Sequence, residues 1–165
     1  MPKCIVIARH GLCNSTITNR QLRSEGKEQM ERLAQALAKF ICLPLAICSS
    51  IARWTIQSAE ILANYYNIEL AEIPSLFMQN PASDMRDITR LINSAEAETL
   101  LLVTHDHAIP AIASHCATAC LHQKQHGFPT IWQGESLIFN MQQKKIFRLY
   151  YLGGKGELKI ADITN

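Results

Sequence analysis

Two uninterrupted apolar runs stand out along the chain, and each run stops abruptly at a histidine. Residues 5–8 lead through an arginine into His10 and Gly11, and residues 100–103 lead through a threonine into His105. Apolar runs of this length are typical of strands that are buried on both faces of a parallel sheet. Because ligands bind at the carboxyl ends of such strands, both histidines are candidate functional residues. A strand that simply runs out into a polar turn would explain either motif taken alone.

The other hydrophobic positions divide between the periods of helices and strands. Apolar residues recur every three or four positions after Ser24, which we expect to be a helix N-cap. Prolines and glycines mark the connections, including a glycine-rich turn at residues 153–156. The pattern predicts strands at residues 3–9, 45–48, 68–73, 100–104, 137–141, 145–151 and 158–163, and helices at 24–40, 52–64, 85–94 and 108–121.

The order of these elements predicts an α/β fold. Strands that alternate with helices form parallel sheets through right-handed crossovers, whereas the consecutive strands near the end of the chain favour antiparallel pairing. We therefore expect a three-layer sandwich with a mainly parallel central sheet, helices on both faces and antiparallel edge strands. Residues 1–165 are the length of one domain, and we see neither an internal repeat nor a linker.

Composition narrows the possible functions. The net charge of the chain is only +2, and its lysines and arginines are not clustered in the sequence. Because proteins that bind nucleic acid usually carry clustered positive charge, nucleic acid is not the expected partner. The longest apolar stretches fall well short of the ~20 residues that span a membrane. The first three residues lead directly into a strand, without the pattern of a secretory signal. Six cysteines in mostly apolar segments are typical of reduced thiols, which favours a cytoplasmic protein.

Four motifs follow one another along the chain: Arg9-His10-Gly11, the stretch from Leu22 to Gln29, the stretch from Cys48 to Leu62, and Val103-Thr104-His105. Each motif is weak by itself, but together they cover most of the chain. In this order they resemble the motifs of the histidine phosphatase (phosphoglycerate mutase-like) superfamily. In length the chain is most similar to the small phosphohistidine phosphatases.

The resemblance implies a role for each residue at these strand ends. His10 would be the nucleophile, since a neutral imidazole attacks phosphorus well near neutral pH and forms a covalent phosphohistidine. Arg9 and a protonated His105 would bind the transferring oxygens. Asn14 is placed to reach a phosphate oxygen, although asparagine at such a position more often makes a turn. This chemistry needs no cofactor and no metal.

The chain departs from the family pattern at the second arginine. When Ser49 and Ser50 are aligned with the family's paired serines, Trp54 falls at the arginine position and Arg53 lies one residue early. One residue on a helix is a rotation of ~100°. A one-residue difference in the preceding loop, or the long arginine side chain, would still let Arg53 serve as a phosphate ligand, which is our expectation.

The proton donor is a second departure. Relatives carry a glutamate in the loop after the third strand, whereas residues 76–80 contain no acidic side chain. The phosphohistidine phosphatases resemble the chain in this respect, because a phosphoramidate nitrogen leaves more readily than an alkoxide. Asp106 directly follows the second histidine, as in the phytases and acid phosphatases, and is our candidate donor. A helix N-cap role for Asp106 is an equally good explanation.

A second cluster of metal-ligand types lies in residues 115–126, which include His115, Cys116, Cys120, His122 and His126. This spacing lacks the long spacer of structural zinc sites, so we expect buried cysteines and loop histidines without a metal. His107 is expected to be a surface residue of the last helix.

These observations favour a phosphatase that acts on a phosphorylated histidine of a protein or on a small phosphomonoester. The partner would be a phosphorylated small molecule or a phosphoprotein. A catalytically weak or inactive relative that binds phosphorylated partners is the main alternative, because of the arginine shift and the missing glutamate. Phosphotransfer of the phosphoglycerate mutase type is a second alternative.

Overall fold

The computed structural model describes residues 1–14, 20–122, 127–152 and 157–164. Strands and helices alternate over most of the chain, and a 3-10 turn at Pro74–Phe77 precedes the third helix. The elements are β1 (Cys4–Arg9), α1 (Ser24–Leu37), β2 (Leu45–Ser49), α2 (Arg53–Tyr66), β3 (Leu70–Glu72), α3 (Pro81–Ser94), β4 (Thr99–Thr104), α4 (Ile109–Leu121), β5 (Ser136–Asn140), β6 (Lys145–Tyr151) and β7 (Leu158–Asp162).

The strands form one seven-stranded sheet with the order β3-β2-β4-β1-β5-β6-β7. The first four strands in this order are parallel, and β5, β6 and β7 are antiparallel to their neighbours. Arg9 pairs with Thr104, so the chain leaves β1 and β4 at the same level of the sheet. The fold class predicted from the hydrophobic pattern is confirmed.

Helices cover both faces of the sheet. Successive side chains of the central strands point alternately toward the two helix layers. In β1, Ile5 and Ile7 face the core cluster that includes α3 and α4, whereas Val6 faces the cluster that includes α1 and α2. All three side chains are fully buried, and burial of each stabilises the fold by about 1.5–3 kcal/mol. Burial on both faces explains why the sequence of β1 is continuously apolar. No helix in the described ranges is long and apolar enough to cross a membrane.

The element boundaries differ from the predicted ones in two informative places. The third helix begins at Pro81, four residues before the predicted start, because proline is favoured at the first helical position, where no N–H is needed. The predicted cap at Ser24 is wrong: the cap position is Arg23, without a side-chain cap, and the Ser24 hydroxyl donates to Glu25 Oε2. The predicted glycine turn at 153–156 lies outside the described residues.

Candidate active site

The turn after β1 depends on a close backbone contact between two glycines. A Cβ atom at Gly11 would lie 2.4 Å from the carbonyl oxygen of Gly26, in the first turn of α1. A Cβ atom at Gly26 would lie 2.1 Å from the carbonyl oxygen of Leu12. Both distances are too short for any side chain, so the sequence must have glycine at both positions. The contact fixes the path of the chain immediately after His10.

Side chains of α1 and α2 bind the backbone of the same loop. Gln29 Oε1 accepts from the N–H of Leu12 at 2.8 Å, and Ser58 Oγ accepts from the N–H of Gly11 at 3.1 Å. Gln57 Oε1 accepts from the N–H of Leu22 at 2.9 Å. These residues belong to the motifs that carry the family resemblance, and their role in this structure is to hold the loop.

The His10 ring has a defined tautomer. Its Nδ1 lies 2.8 Å from the carbonyl oxygen of Gly11. A carbonyl oxygen only accepts, so Nδ1 carries the proton and Nε2 carries the lone pair of a neutral ring. Burial lowers the pKa of His10 from 6.5 to about 4, the bond to Gly11 opposes this shift, and the charges of Arg9 and Arg20 add to it. His10 is therefore neutral at pH 7, as a nitrogen nucleophile must be.

The second histidine lies beside the first. The ring centroids of His10 and His105 are 5.7 Å apart, with an interplanar angle of 61°. Ser50 Oγ lies 2.9 Å from His105 Nε2 and orients the ring. Burial is the main reason why the pKa of His105 is lowered to about 3, and the neighbouring His10 and His107 add to this shift. In the absence of a bound anion His105 is thus neutral, whereas the family resemblance implied a protonated ring.

Arg9 spans the ends of the two strands. Its Nη1 donates to the carbonyl oxygen of Ile131 at 2.9 Å, and its Nη2 donates to Asp106 Oδ2 at 3.1 Å. Burial by itself would raise the pKa of Asp106, but Arg9 and the N–H of His107 outweigh it and hold this pKa below its usual value. Asp106 is therefore a carboxylate paired with Arg9. The α4 cap position is Ala108, without a side-chain cap.

The two remaining predicted ligands are placed differently. Asn14 pairs with Gln21, since its Oδ1 accepts from the N–H of Gln21 at 3.0 Å. Arg53 is exposed at the first position of α2. The next residue, Trp54, packs against the site: its ring centroid lies 6.2 Å from that of His10 and 5.7 Å from that of His105. The proposed phosphate contacts of Asn14 and Arg53 stay predictions.

Three further residues at the site were missed by the sequence analysis. Phe77 packs edge-on against His105, with ring centroids 4.9 Å apart. His107 is not on the last helix; it stacks on His105 at 5.4 Å and donates from Nε2 to the carbonyl oxygen of Phe77. The guanidinium of Arg20 lies over the Trp54 ring, 4.9 Å from its centroid. The short spacing between His105 and His107 was the one feature of the sequence that could have placed a further residue at the site. The other contacts join segments that are far apart in sequence.

The second cluster of metal-ligand types is divided between the core and the surface. Cys116 and Cys120 are buried in the core beneath α4, whereas His122 is exposed at its end. His126 lies outside the described residues. Among the residues that are described, no three histidine, cysteine or acidic side chains are grouped so that they could hold a metal ion.

No protein-family model matches the sequence, and no curated protein is similar to it in sequence. Solved structures do match. A protein assigned as the phosphohistidine phosphatase SixA from Nakamurella multipartitia superposes with a TM-score of 0.67, 16% identity and coverage of 96% of this chain and 95% of that chain. A protein assigned as SixA from Agrobacterium tumefaciens gives a TM-score of 0.63 at 17% identity, over 84% of this chain and 91% of that chain.

A mycobacterial glucosyl-3-phosphoglycerate phosphatase in complex with inorganic phosphate also matches. It gives a TM-score of 0.62 at 13% identity, over 97% of this chain and 95% of that chain. Coverage is nearly complete in both directions, so the similarity includes both the parallel and the antiparallel parts of the sheet. The chain has the fold of these solved structures, the phosphoglycerate mutase-like fold that the resemblance implied.

Proposed function

We propose that this protein is a phosphatase that forms a covalent phosphohistidine on His10. The observation that carries the proposal is the side-by-side placement of His10 and His105 at the ends of adjacent strands, with His10 neutral and protonated on Nδ1. This arrangement supplies a nitrogen nucleophile next to a second imidazole. The solved structures with the same fold include proteins named as phosphatases, which supports the same chemistry.

The reaction would proceed in two displacements. The lone pair of His10 Nε2 attacks phosphorus in line with the leaving group, a P–N bond forms, and the bond to the leaving group breaks. A water molecule then attacks the phosphohistidine and forms a P–O bond, while the P–N bond breaks and returns its electron pair to His10 Nε2. The second proton of the water is lost to solvent, and inorganic phosphate leaves. In this scheme Arg9 and His105 bind the non-bridging oxygens. His105 takes up a proton when the phosphate dianion binds, because an adjacent anion raises the pKa of an imidazole.

The substrate that we propose is a phosphorylated histidine side chain. Asp106 is ion-paired with Arg9, and its pKa is lowered, so it is a poor proton donor at neutral pH. An alkoxide leaving group needs such a donor more than an imidazole does. A site with an unprotonated Asp106 therefore favours a phosphoramidate over a phosphomonoester.

Binding of phosphorylated partners without turnover is the second candidate. It is favoured by one observation, the presence of Trp54 against both histidines at the position where the family has an arginine. An indole ring cannot neutralise the charge that develops on the phosphoryl oxygens. The two candidates differ in whether a phosphoenzyme forms.

The experiment compares the full-length protein with a His10→Ala variant on a phosphohistidine peptide and on 4-nitrophenyl phosphate. We expect kcat/KM for the peptide to exceed that for the ester, and His10→Ala to lower both by at least ~10³-fold, as removal of a nucleophile does. Rapid quenching should trap a phosphoenzyme that is stable to alkali and labile to acid.

His115→Ala is the matched control, since His115 lies on α4 away from the two strand ends, and it should keep full activity. Turnover that survives His10→Ala would contradict the proposed nucleophile. Tight phosphate binding without turnover or phosphoenzyme would establish the binding protein instead. A preference for the ester would place the substrate among phosphomonoesters.

A further inference from the structure

Arg20 lies against an aromatic wall of the candidate active site. Its guanidinium carbon is 4.9 Å from the centroid of the Trp54 ring, in the geometry of a cation–π contact. Its Nε donates to Cys13 Sγ at 3.1 Å. The side chain is therefore held at two points, between the loop that follows His10 and the first turn of α2. This placement pre-organises a positive charge at the edge of the site.

The Trp54 ring links this charge to both histidines. Its centroid lies 6.2 Å from that of His10 and 5.7 Å from that of His105. Burial is the main reason why the two imidazole pKa values are low, but the charge of Arg20 lowers both of them further. An anion bound between the histidines would be attracted by the same charge.

On the α2 side of the site, in the part of the chain that the structure describes, the uncharged Trp54 faces both histidines. A phosphoryl group in transfer spreads negative charge over three oxygens, and Arg9 already shares its two terminal nitrogens between Ile131 and Asp106. Arg53 is exposed, and Trp54 occupies the inward position next to it. In the described part of the chain Arg20 hydrogen-bonds through Nε, so that Nη1 and Nη2 are the atoms that it offers to an oxygen ligand.

We propose that Arg20, stacked on Trp54, is the second guanidinium that binds the phosphoryl group, in place of an arginine on α2. This inference rests on the proposed phosphatase function and specifies which residue completes its anion site. Trp54 acts as a positioning residue, because it orients Arg20 and does not itself carry charge.

The test compares Arg20→Ala, Arg20→Lys and Arg53→Ala in the full chain, with kcat/KM on a phosphohistidine peptide and inhibition by orthovanadate as readouts. We expect Arg20→Ala to lower kcat/KM by ~10²–10³-fold and to weaken vanadate inhibition, as loss of one preorganised donor does. Arg20→Lys should recover part of the activity, since it restores the charge without the planar fork. Arg53→Ala should lower kcat/KM by a smaller factor than Arg20→Ala does.

Rescue separates ligand binding from a purely structural role. Trp54→Arg places a guanidinium on α2, and in the Arg20→Ala background it should strengthen vanadate inhibition by at least ~10-fold. A structural defect of Arg20→Ala would not be repaired by this second substitution. Titration calorimetry with inorganic phosphate provides a binding measurement that does not depend on turnover or on Trp54.

Three outcomes would overturn the inference in distinguishable ways. In the first outcome the unmodified protein hydrolyses the peptide, His10→Ala does not, and Arg20→Ala still does. The inference about Arg20 then fails, and the phosphatase function stands. Activity lost in Arg53→Ala and kept in Arg20→Ala would assign the anion contact to Arg53. An unmodified protein that neither turns over the peptide nor binds vanadate would reject the function and the inference together.

Discussion

The carboxyl ends of β1 and β4 hold their histidines in different ways. At the end of β1, His10 donates to a backbone carbonyl, that of Gly11. At the end of β4, His105 is oriented by a side chain, the hydroxyl of Ser50. A backbone partner is kept as long as the local conformation is kept, whereas a side-chain partner is lost in a single substitution. The two imidazoles should therefore respond to different kinds of mutation.

The largest effect should come from disturbing the backbone at the end of β1. In Gly11→Ala the new methyl group would lie 2.4 Å from the carbonyl oxygen of Gly26, a backbone atom that cannot rotate away as the end of a side chain can. We expect the free energy of unfolding to fall by at least about 4 kcal/mol, measured by urea denaturation. Gly127→Ala is the control, because Gly127 has φ +86° but no atom of the described residues lies within 4 Å of the added Cβ. It should cost only about 1–2 kcal/mol of backbone strain.

Gly11→Ala with the stability of the unmodified protein would show that the glycine contact does not fix the turn. The carbonyl group of Gly11 would then not be a rigid partner for His10, and the two strand ends would not differ in how firmly they hold their histidines.

A smaller effect is expected from acid. Folding lowers the pKa of His10 from 6.5 to about 4 and that of His105 from 6.5 to about 3, so the unfolded chain binds more protons than the folded chain below pH 6.5. Stability should therefore fall as the pH decreases from 7 to 5, by about 2 kcal/mol for each histidine. His10→Asn and His105→Asn should each flatten this dependence, measured by thermal or urea unfolding across the pH range. An unchanged slope in both variants would show that other groups cause the acid sensitivity.

The smallest effect should come from the side-chain partner on β4. Ser50→Ala leaves a buried ring nitrogen of His105 without its hydroxyl, which costs about 1–2 kcal/mol of stability. It should also lower kcat/KM about 10-fold, because the His105 ring is no longer oriented. The neighbouring Ser49→Ala is a matched control: in the described chain Ser49 Oγ is buried without a partner. Its removal should be neutral or stabilising, and equal losses in both variants would contradict an orienting role for Ser50.

Much of the fold was predictable because the central strands are buried on both faces. The apolar runs of β1 and β4 follow directly from that burial, and the histidines after them mark the edge where two parallel strands end. Helix starts were less predictable. Prolines are common in loops, and the pattern favours a loop at Pro81, but proline is equally favoured at the first position of a helix, where Pro81 lies. The sequence does not distinguish these two uses.

The site was predictable only where it follows the strands. His10, His105, Arg9 and Asp106 are adjacent to β1 or β4, so strand order alone brings them together. The contact of Arg20 with Trp54 joins a loop to a helix start 34 residues away, and no local pattern encodes it. The stacking of His107 on His105 depends on the shape of the turn before α4, which the sequence pattern does not specify.

The position of β1 in the sheet has a consequence for how the protein opens. Because β1 pairs with β4 on one side and with β5 on the other, its amides exchange with solvent only when the parallel or the antiparallel part of the sheet separates from it. Fraying at either outer strand leaves these pairings intact. His10 is thus attached to a segment that should be among the slowest to exchange in deuterium oxide, and local opening at the periphery would leave the proposed nucleophile in place.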